Sequence, residues 1–407
     1  MARIETIRFR PHRAEVLEGK VRWSPVDTGT PETDLPQLFW ETGDPWREAN
    51  LWLVATATCR DVHIRTTETR AAALLAYARW LERTETDWRQ FPARREHRCL
   101  VRYRGALIDA RNSSELAAST ASQRMRTVVS FYRWVKANGI LTPTWPTWLD
   151  RSVKVHISNQ FGFERTLDRK TTDLAIPLRS APGTRLEDGL QPVSTTDRNA
   201  ILNFARHHGS EELYLMLATG FFTGIRLQTL ADLKLDTLSH AAPDPSSDKL
   251  YRLAVGPGAT PSVATKFGVT GYVWIPKDLL NDLNDYAQSE RRLKRAARAA
   301  DASNRELLFL TRFGNSYADR GADKSPSLNV ELHGLRRLAS RHGLTFMQSF
   351  KFHQARCTFA TELARSAISA GGSIHAIAIV KEALLHRHEV NRPGFRRHLA
   401  AINYGLS

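Results

Sequence analysis

The chain has 407 residues, too many for one compact core, and 42% of them are hydrophobic, which excludes a globally disordered chain. Lys and Arg number 58 against 42 Asp and Glu, a formal net charge of +16 that needs either a reason to tolerate self-repulsion or a polyanionic partner, nucleic acid or an anionic membrane surface, and that alone leaves ribosomal, regulatory and DNA-processing proteins open. No apolar run reaches the ~20 residues of a membrane span. The opening Met1-Ala2-Arg3-Ile4 lacks the apolar stretch of a signal peptide, and Cys59, Cys99 and Cys357 form no CxxC pair. That cysteine usage argues against a zinc ribbon or a disulfide framework and for a reducing cytoplasm.

Residues 1–50, with Pro and Gly clustered between Ser24 and Glu32, read as an irregular arm with little helix. From about Thr66 the pattern turns helical, with Ala72, Leu75, Ala76, Arg79 and Trp80 in one stripe and Leu74 and Leu81 beside it. Met125, Val128, Val129, Tyr132 and Val135 follow helical spacing, Phe131 and Trp134 widen the stripe, and Asn138-Gly139 closes it with a left-handed cap. Arg124, Arg126, Arg133 and Lys136 flank that stripe as candidate phosphate contacts. Residues 151–190 are polar, basic and poor in periodicity, and read as a linker. A second domain opens near Pro192, with N-caps among Ser194 to Asp197. Tyr251 to Val255 and Gly271 to Pro276 read as strands, and helices dominate again from Leu279 onward. The run Arg291 to Arg298 reads as a solvated basic helix face that could add nonspecific phosphate contacts.

Two segments carry a resemblance. Ala218 to Asp236 contains Thr223, Gly224 and Arg226 after an apolar helix, then Leu230 and Leu233. Phe352 to Ala364 contains His353-x-x-Arg356 followed by Thr358-Phe359-Ala360-Thr361. These resemble the first and second signature boxes of the tyrosine recombinase (phage integrase) family. Between them Thr265-Lys266 precedes a strand, where the family carries a lysine on a β-hairpin, and Leu310 to Asn315 resembles the short loop that follows. Leu384-Leu385-His386 stands where the family often has Leu-Gly-His, with His388 as a rival two positions on. The resemblance implies a mainly α fold with a small antiparallel β-sheet. It divides the chain into an arm (1–55), a helical, SAM-like core DNA-binding domain (56–150), a basic linker (151–192) and a catalytic domain (193–407).

The implied chemistry is cutting and rejoining of duplex DNA through a 3′-phosphotyrosyl intermediate. Arg226 and Arg356 would hold the nonbridging oxygens of a phosphodiester with paired, charge-assisted hydrogen bonds. Lys266 would give a proton to the departing 5′ oxygen, His353 would act as acid or base, and His386 would donate to a phosphate oxygen. A tyrosine attacks and conserves the bond energy in the covalent link, so neither a cofactor nor a metal is expected. The His386/His388 pair also admits a metal reading, but no Cys or carboxylate partner stands out.

The sequence departs from the family at the nucleophile. The family's tyrosine stands about nine residues past that histidine, and Phe395 occupies the place. Tyr404 lies nine residues further, about 13.5 Å along a continuous helix. Three readings stand: Tyr404 as displaced nucleophile, Phe395 as an inactivating replacement in an altered chain, or a naturally inactive chain. Smaller departures are Thr229, where the family usually carries an acid, and Cys357, where many members carry a second His and which reads as a small packed residue. The long interval from Arg356 to His386 predicts an inserted loop around Ala370-Gly371-Gly372-Ser373.

The expected partners are double-stranded DNA with inverted-repeat half-sites, further copies of the chain as dimers and tetramers on that DNA, and accessory recombination proteins, with no membrane. The expected location is the cytoplasm, on the nucleoid. The alternatives are a catalytically inactive, recombinase-fold DNA-binding accessory protein, a type IB topoisomerase, and a basic structural or RNA-binding protein with chance motif matches.

Overall fold

The computed structural model describes residues 1–385 apart from 11, 18, 26–32, 60, 61, 63, 159–163, 178–189, 246 and 319–324. The chain divides into two compact units, Met1–Ala181 and Pro182–Ser407. The fold is mainly helical with small antiparallel sheets. Among the described residues no helix is long and apolar enough to cross a membrane.

The first unit opens on strands where an irregular arm was expected. β1 (Arg3–Phe9) pairs antiparallel with β4 (Thr33–Phe39), and β2 (His12–Leu17) pairs with β3 (Lys20–Pro25). Pro36 inside β4 hides the signal, because proline cannot donate to a ladder and reads as a strand breaker. Helices α1 (Arg47–Ala57), α2 (Ile64–Arg83), α3 (Cys99–Asn112) and α4 (Ala118–Ala137) follow. The α4 stripe is buried as its spacing predicts, and Gly139 takes the left-handed conformation (φ 68°) after it. On α2 the buried face is rotated by about one position from the expected stripe. Ala71, Leu74, Tyr77, Ala78 and Leu81 face inward, while Ala72 and Arg79 face out. Tyr77 decides this, because its ring packs on Tyr103 at 4.6 Å and its hydroxyl meets that of Tyr132 at 2.8 Å. Within the segment expected as linker, β5 (Asp150–Ser158) and β6 (Glu164–Thr172) pair antiparallel in full register. Val153, Val155 and Ile157 alternate with polar residues along β5, a strand signal set among charged residues and within a segment otherwise poor in periodicity.

The second unit begins with α5 (Thr195–His208), capped by the Ser194 hydroxyl accepting from the Asp197 amide at 3.0 Å, as expected. Next come α6 (Glu211–Thr223), α7 (Leu227–Ala231) and α8 (Leu235–Ser239). A three-stranded antiparallel sheet follows, β7 (Ala242–Asp244), β8 (Ser247–Val255) and β9 (Gly271–Pro276), in that order. The last helices are α9 (Lys277–Gln288), α10 (Glu290–Ala297), α11 (Pro326–Arg341) and α12 (His353–Ala383). The loop expected at Ala370 to Ser373 is absent, and α12 runs through it as one helix of 31 residues. Two helical glycines cost about 1 kcal/mol each relative to alanine, which a helix this long absorbs.

The basic run on α10 differs from its expected solvated role. Arg291 grips the fully buried Glu212 of α6 with Nε and Nη2 at 2.8 and 2.9 Å, and Arg295 reaches the same carboxylate at 2.8 Å. Arg292 donates to the Leu307 carbonyl at 2.8 Å and Arg295 to the Leu310 carbonyl at 2.6 Å, so α10 holds the following loop by its backbone. A guanidinium has five donors, enough to satisfy an acid and a carbonyl together. Burial alone pushes the Glu212 carboxyl up. The Arg291 hydrogen bond and the charges of Arg295 and Arg291 outweigh it, and the net shift is below the ordinary value. The carboxylate therefore stabilises the fold in full above about pH 4.3, and that contribution fades as pH falls through its lower native value. Replacing Glu212 by Gln is expected to cost about 3–5 kcal/mol at neutral pH. Urea unfolding of both proteins across pH 7 to 3 should show the difference shrinking toward the acid end.

Candidate phosphate-binding site

The site is built where α6 and α12 cross. Thr219 and Thr223 donate to the carbonyls one turn back, Leu215 at 2.7 Å and Thr219 at 2.6 Å, so their hydroxyls are satisfied within the buried helix. Gly220 and Gly224 then present no side chain to α12. A Cβ on Gly220 would lie 3.1 Å from the Phe352 ring and 3.3 Å from Ala355. A Cβ on Gly224 would lie 2.3 Å from the Phe359 ring. Gly224 also takes a left-handed conformation, φ 63°, that ends α6 and turns the chain. Arg226 follows as the N-cap of α7.

On α12, Arg356 is only 4% exposed. Its Nη1 donates to the Gly224 carbonyl at 2.5 Å and its Nη2 to the Leu384 carbonyl at 2.9 Å. Arg226 Nη1 makes a longer 3.5 Å contact with the same Leu384 oxygen. Two guanidinium groups, one from each signature segment, thus converge on one oxygen atom. That oxygen belongs to the C-terminal end of α12, where carbonyls lack helical partners and carry partial negative charge.

Lys266 comes from the connection between β8 and β9. Its turn is held at several points. The Asp232 carboxylate accepts from the Ala264 amide at 2.6 Å, and the Thr265 hydroxyl donates to the Val269 carbonyl at 2.7 Å. Phe267 and Gly268 both sit at positive φ, 64° and 62°. For a phenylalanine that conformation costs roughly 1–2 kcal/mol. The turn delivers Lys266 to a narrow cleft that Arg226, Arg356, Thr229, Thr265, Leu384 and Leu385 also line.

Of the residues expected from the motifs, Arg226, Lys266 and Arg356 therefore share one pocket. His353 opens α12 one turn before Arg356 and is half-buried, but it is not among the residues lining that pocket. His386, His388, Phe395 and Tyr404 lie outside the described residues. Thr229, at the position where an acid was expected, is buried and faces the pocket. Cys357 is buried at 2% exposure, in keeping with a small packed residue. Sequence reasoning missed Asp232, the anchor of the lysine turn, although it lies within the first signature segment. It also missed the Gly224 and Leu384 carbonyls, since backbone acceptors leave no trace in residue type. Among the described residues no group of three or more His, Cys, Asp or Glu is arranged to hold a metal ion.

No protein-family model and no curated protein matches the sequence. In structure the chain is similar to a lambda integrase (75–356) dimer bound to a COC′ core site. The identity is 13%, the match covers 88% of this chain and 94% of that one, and the TM-score is 0.48. It is similar to the Tn1549 transposon integrase (aa 82–397) in complex with circular intermediate DNA at 12% identity, over 87% of this chain and 98% of that one, with a TM-score of 0.49. A crystal structure of XerA recombinase matches at 13% identity over 87% and 96% of the two chains, with a TM-score of 0.33. Similarity at this level does not carry chemistry; the side chains have to.

Gly224 is the position where the crossing is least tolerant. Gly224→Ala combines a left-handed backbone with a clash against Phe359, and is expected to cost about 2–5 kcal/mol. Adding Phe359→Leu should return part of that loss in a denaturation series. A single Gly224→Ala variant as stable as the parent would mean that α6 and α12 do not pack this closely.

Proposed function

We propose that the chain is a DNA strand-exchange enzyme of the tyrosine recombinase type, cutting and rejoining duplex DNA. One observation carries the reading: Arg226 and Arg356 direct their guanidinium groups at a single oxygen, in a pocket that also takes Lys266. A carbonyl oxygen holds that place now, and a nonbridging phosphate oxygen is the stronger acceptor for two cations. The order of the motifs along the chain supports the same reading.

In the proposed reaction a tyrosine oxygen attacks the phosphorus and the bond to the 5′ oxygen breaks. Arg226 and Arg356 hold the negative charge that gathers on the nonbridging oxygens. Lys266 delivers a proton to the departing 5′ oxygen, leaving a 5′ hydroxyl, and His353 serves as acid or base. His386 donates to a phosphate oxygen and Tyr404 is the nucleophile. Rejoining reverses the step, with the 5′ hydroxyl attacking the phosphotyrosine. In this reading residues 56–150 form the helical DNA-gripping domain, SAM-like in character, preceded by the arm at 1–55. Residues 151–192 link it to the catalytic domain at 193–407. The working assembly is a tetramer on two sites, each an inverted pair of half-sites, acting on the nucleoid. The net charge of +16 supplies the phosphate affinity that such a clamp needs.

A second reading has one residue in its favour. Phe395, at the family's nucleophile position, fits an inactive DNA-binding accessory protein. A nicked suicide duplex, built from the inverted repeats flanking the gene's element, separates the two. The first reading predicts a covalent adduct whose digest yields a phosphotyrosyl peptide containing Tyr404, and Arg226→Lys should slow its formation by about 10²–10³-fold. Tight binding without an adduct would establish the accessory reading, and Phe395→Tyr would then be expected to restore cleavage.

A further inference from the structure

Asp232 sits where local structure does not favour an acid. It is the C-cap of α7, and the leftover carbonyls at a helix C-terminus carry partial negative charge that opposes a carboxylate. It is also buried, at 7% exposure, where an ionised carboxyl is costly unless hydrogen bonds hold it. One of those bonds leaves the helix altogether: Oδ2 accepts from the Ala264 amide at 2.6 Å, 32 residues further along the chain.

The segment held by that bond is closed on itself. Gly256 and Val263 exchange backbone hydrogen bonds at 3.0 and 3.2 Å, and the Gly258 amide donates to the Thr270 hydroxyl at 3.0 Å. A Cβ on Gly256 would lie 2.5 Å from the Thr270 Cα, so the two ends of the loop touch. Near the lysine, the Thr265 hydroxyl donates to the Val269 carbonyl at 2.7 Å and the Gly268 amide to the Thr265 carbonyl at 3.1 Å. A loop knitted in this way moves as one piece. An external bond two residues before Lys266 therefore fixes where the ammonium goes. At its other end α7 carries Arg226 as N-cap. One helix of five residues thus holds the arginine directly and the lysine through Asp232, and both side chains line the cleft with Arg356. We propose that Asp232 is the positioning residue for Lys266, locking its ammonium in register with the Arg226 guanidinium so that both meet one phosphate. The proposal rests on the reading that a phosphate binds in this cleft. A displacement of about 1 Å in such a group can cost 10²-fold in rate, which is reason enough to keep a buried acid at an unfavourable helix end.

The test uses the full chain with inorganic phosphate as the probe. Binding is followed by calorimetry, and acetylation of Lys266 by acetic anhydride is followed by mass spectrometry with and without phosphate. Lys266→Ala is expected to weaken binding about tenfold, as loss of one charged hydrogen bond does. Asp232→Ala should weaken it by a similar factor, and the double variant should be no weaker than either single one, because both remove the same contact. Asp232→Asn keeps an acceptor oxygen in place and should stay close to the wild type. Asp232→Glu keeps the charge but moves the anchor by a methylene, so it should behave like Asp232→Ala and carries the test if the alanine variant does not fold. Phosphate should shield Lys266 from acetylation in the wild type and in Asp232→Asn, but not in the alanine or glutamate variants. Additive losses in the double variant, or a shielded Lys266 in Asp232→Glu, overturn the positioning role and leave the recombinase reading intact. A wild type without saturable phosphate binding overturns both.

Discussion

The second unit depends on one buried cation. The Arg356 guanidinium is almost wholly removed from water, and such a group is costly unless every face of it finds an acceptor. Two of its acceptors are the last carbonyl of the α6 turn, Gly224, and the carbonyl just past α12, Leu384. Both are backbone oxygens left over at helix ends, so each helix terminus is satisfied by the same side chain. The arrangement requires α6 and α12 to come close, which is why Gly220 and Gly224 face Phe352, Ala355 and Phe359. Folding thus places one arginine where a second, Arg226, meets it at a shared oxygen. The geometry that stabilises the crossing is also the geometry that gathers positive charge in the pocket.

The chain's many arginines fall into two kinds by what they touch. Arg291, Arg292 and Arg295 are committed to the fold, bonded to Glu212 and to the carbonyls of Leu307 and Leu310. By contrast, in the first unit Arg133 pairs with the exposed Asp150 at 2.9 Å and lies over the Trp148 ring, as does Lys136, surface contacts that leave both cations open to solvent. Net charge counts these residues as equals of Arg226, yet a cation already satisfied by a buried carboxylate has little left to offer a polyanion. The excess charge points to the class of ligand, and only the bonding of each side chain says which of them could meet it.

Much of the second unit was legible because its signals are local. The Ser194 cap, the strands at Tyr251 and Gly271, and the Thr-Gly turn before Arg226 each rest on a few neighbouring residues. The three cations in one pocket were legible only through the resemblance, since nothing in spacing brings Lys266 to Arg356. What escaped was of another kind. The β1–β4 ladder is masked in sequence by Pro36, the Val153, Val155 and Ile157 alternation of β5 sits among charged residues, and the inward face of α2 is set by Tyr77 meeting residues far along the chain. The unbroken path of α12 through Gly371 and Gly372 overrides a local propensity that favours a break. The Leu384 carbonyl, the atom on which the site converges, carries no sequence signal at all.

The central claim is that Arg226 and Arg356 act as one phosphate clamp whose resting acceptor is the end of α12. The most direct measurement is a titration of the full chain with inorganic phosphate, following arginine side-chain ¹⁵N–¹H resonances and the Leu385 amide. Arg226 and Arg356 are expected to shift together along one saturating curve, the Leu385 amide to move with them as its neighbouring carbonyl is displaced, and Arg226→Lys to weaken the Arg356 response. Unsaturated drifts like those of surface arginines, or an Arg356 response indifferent to residue 226, would contradict it.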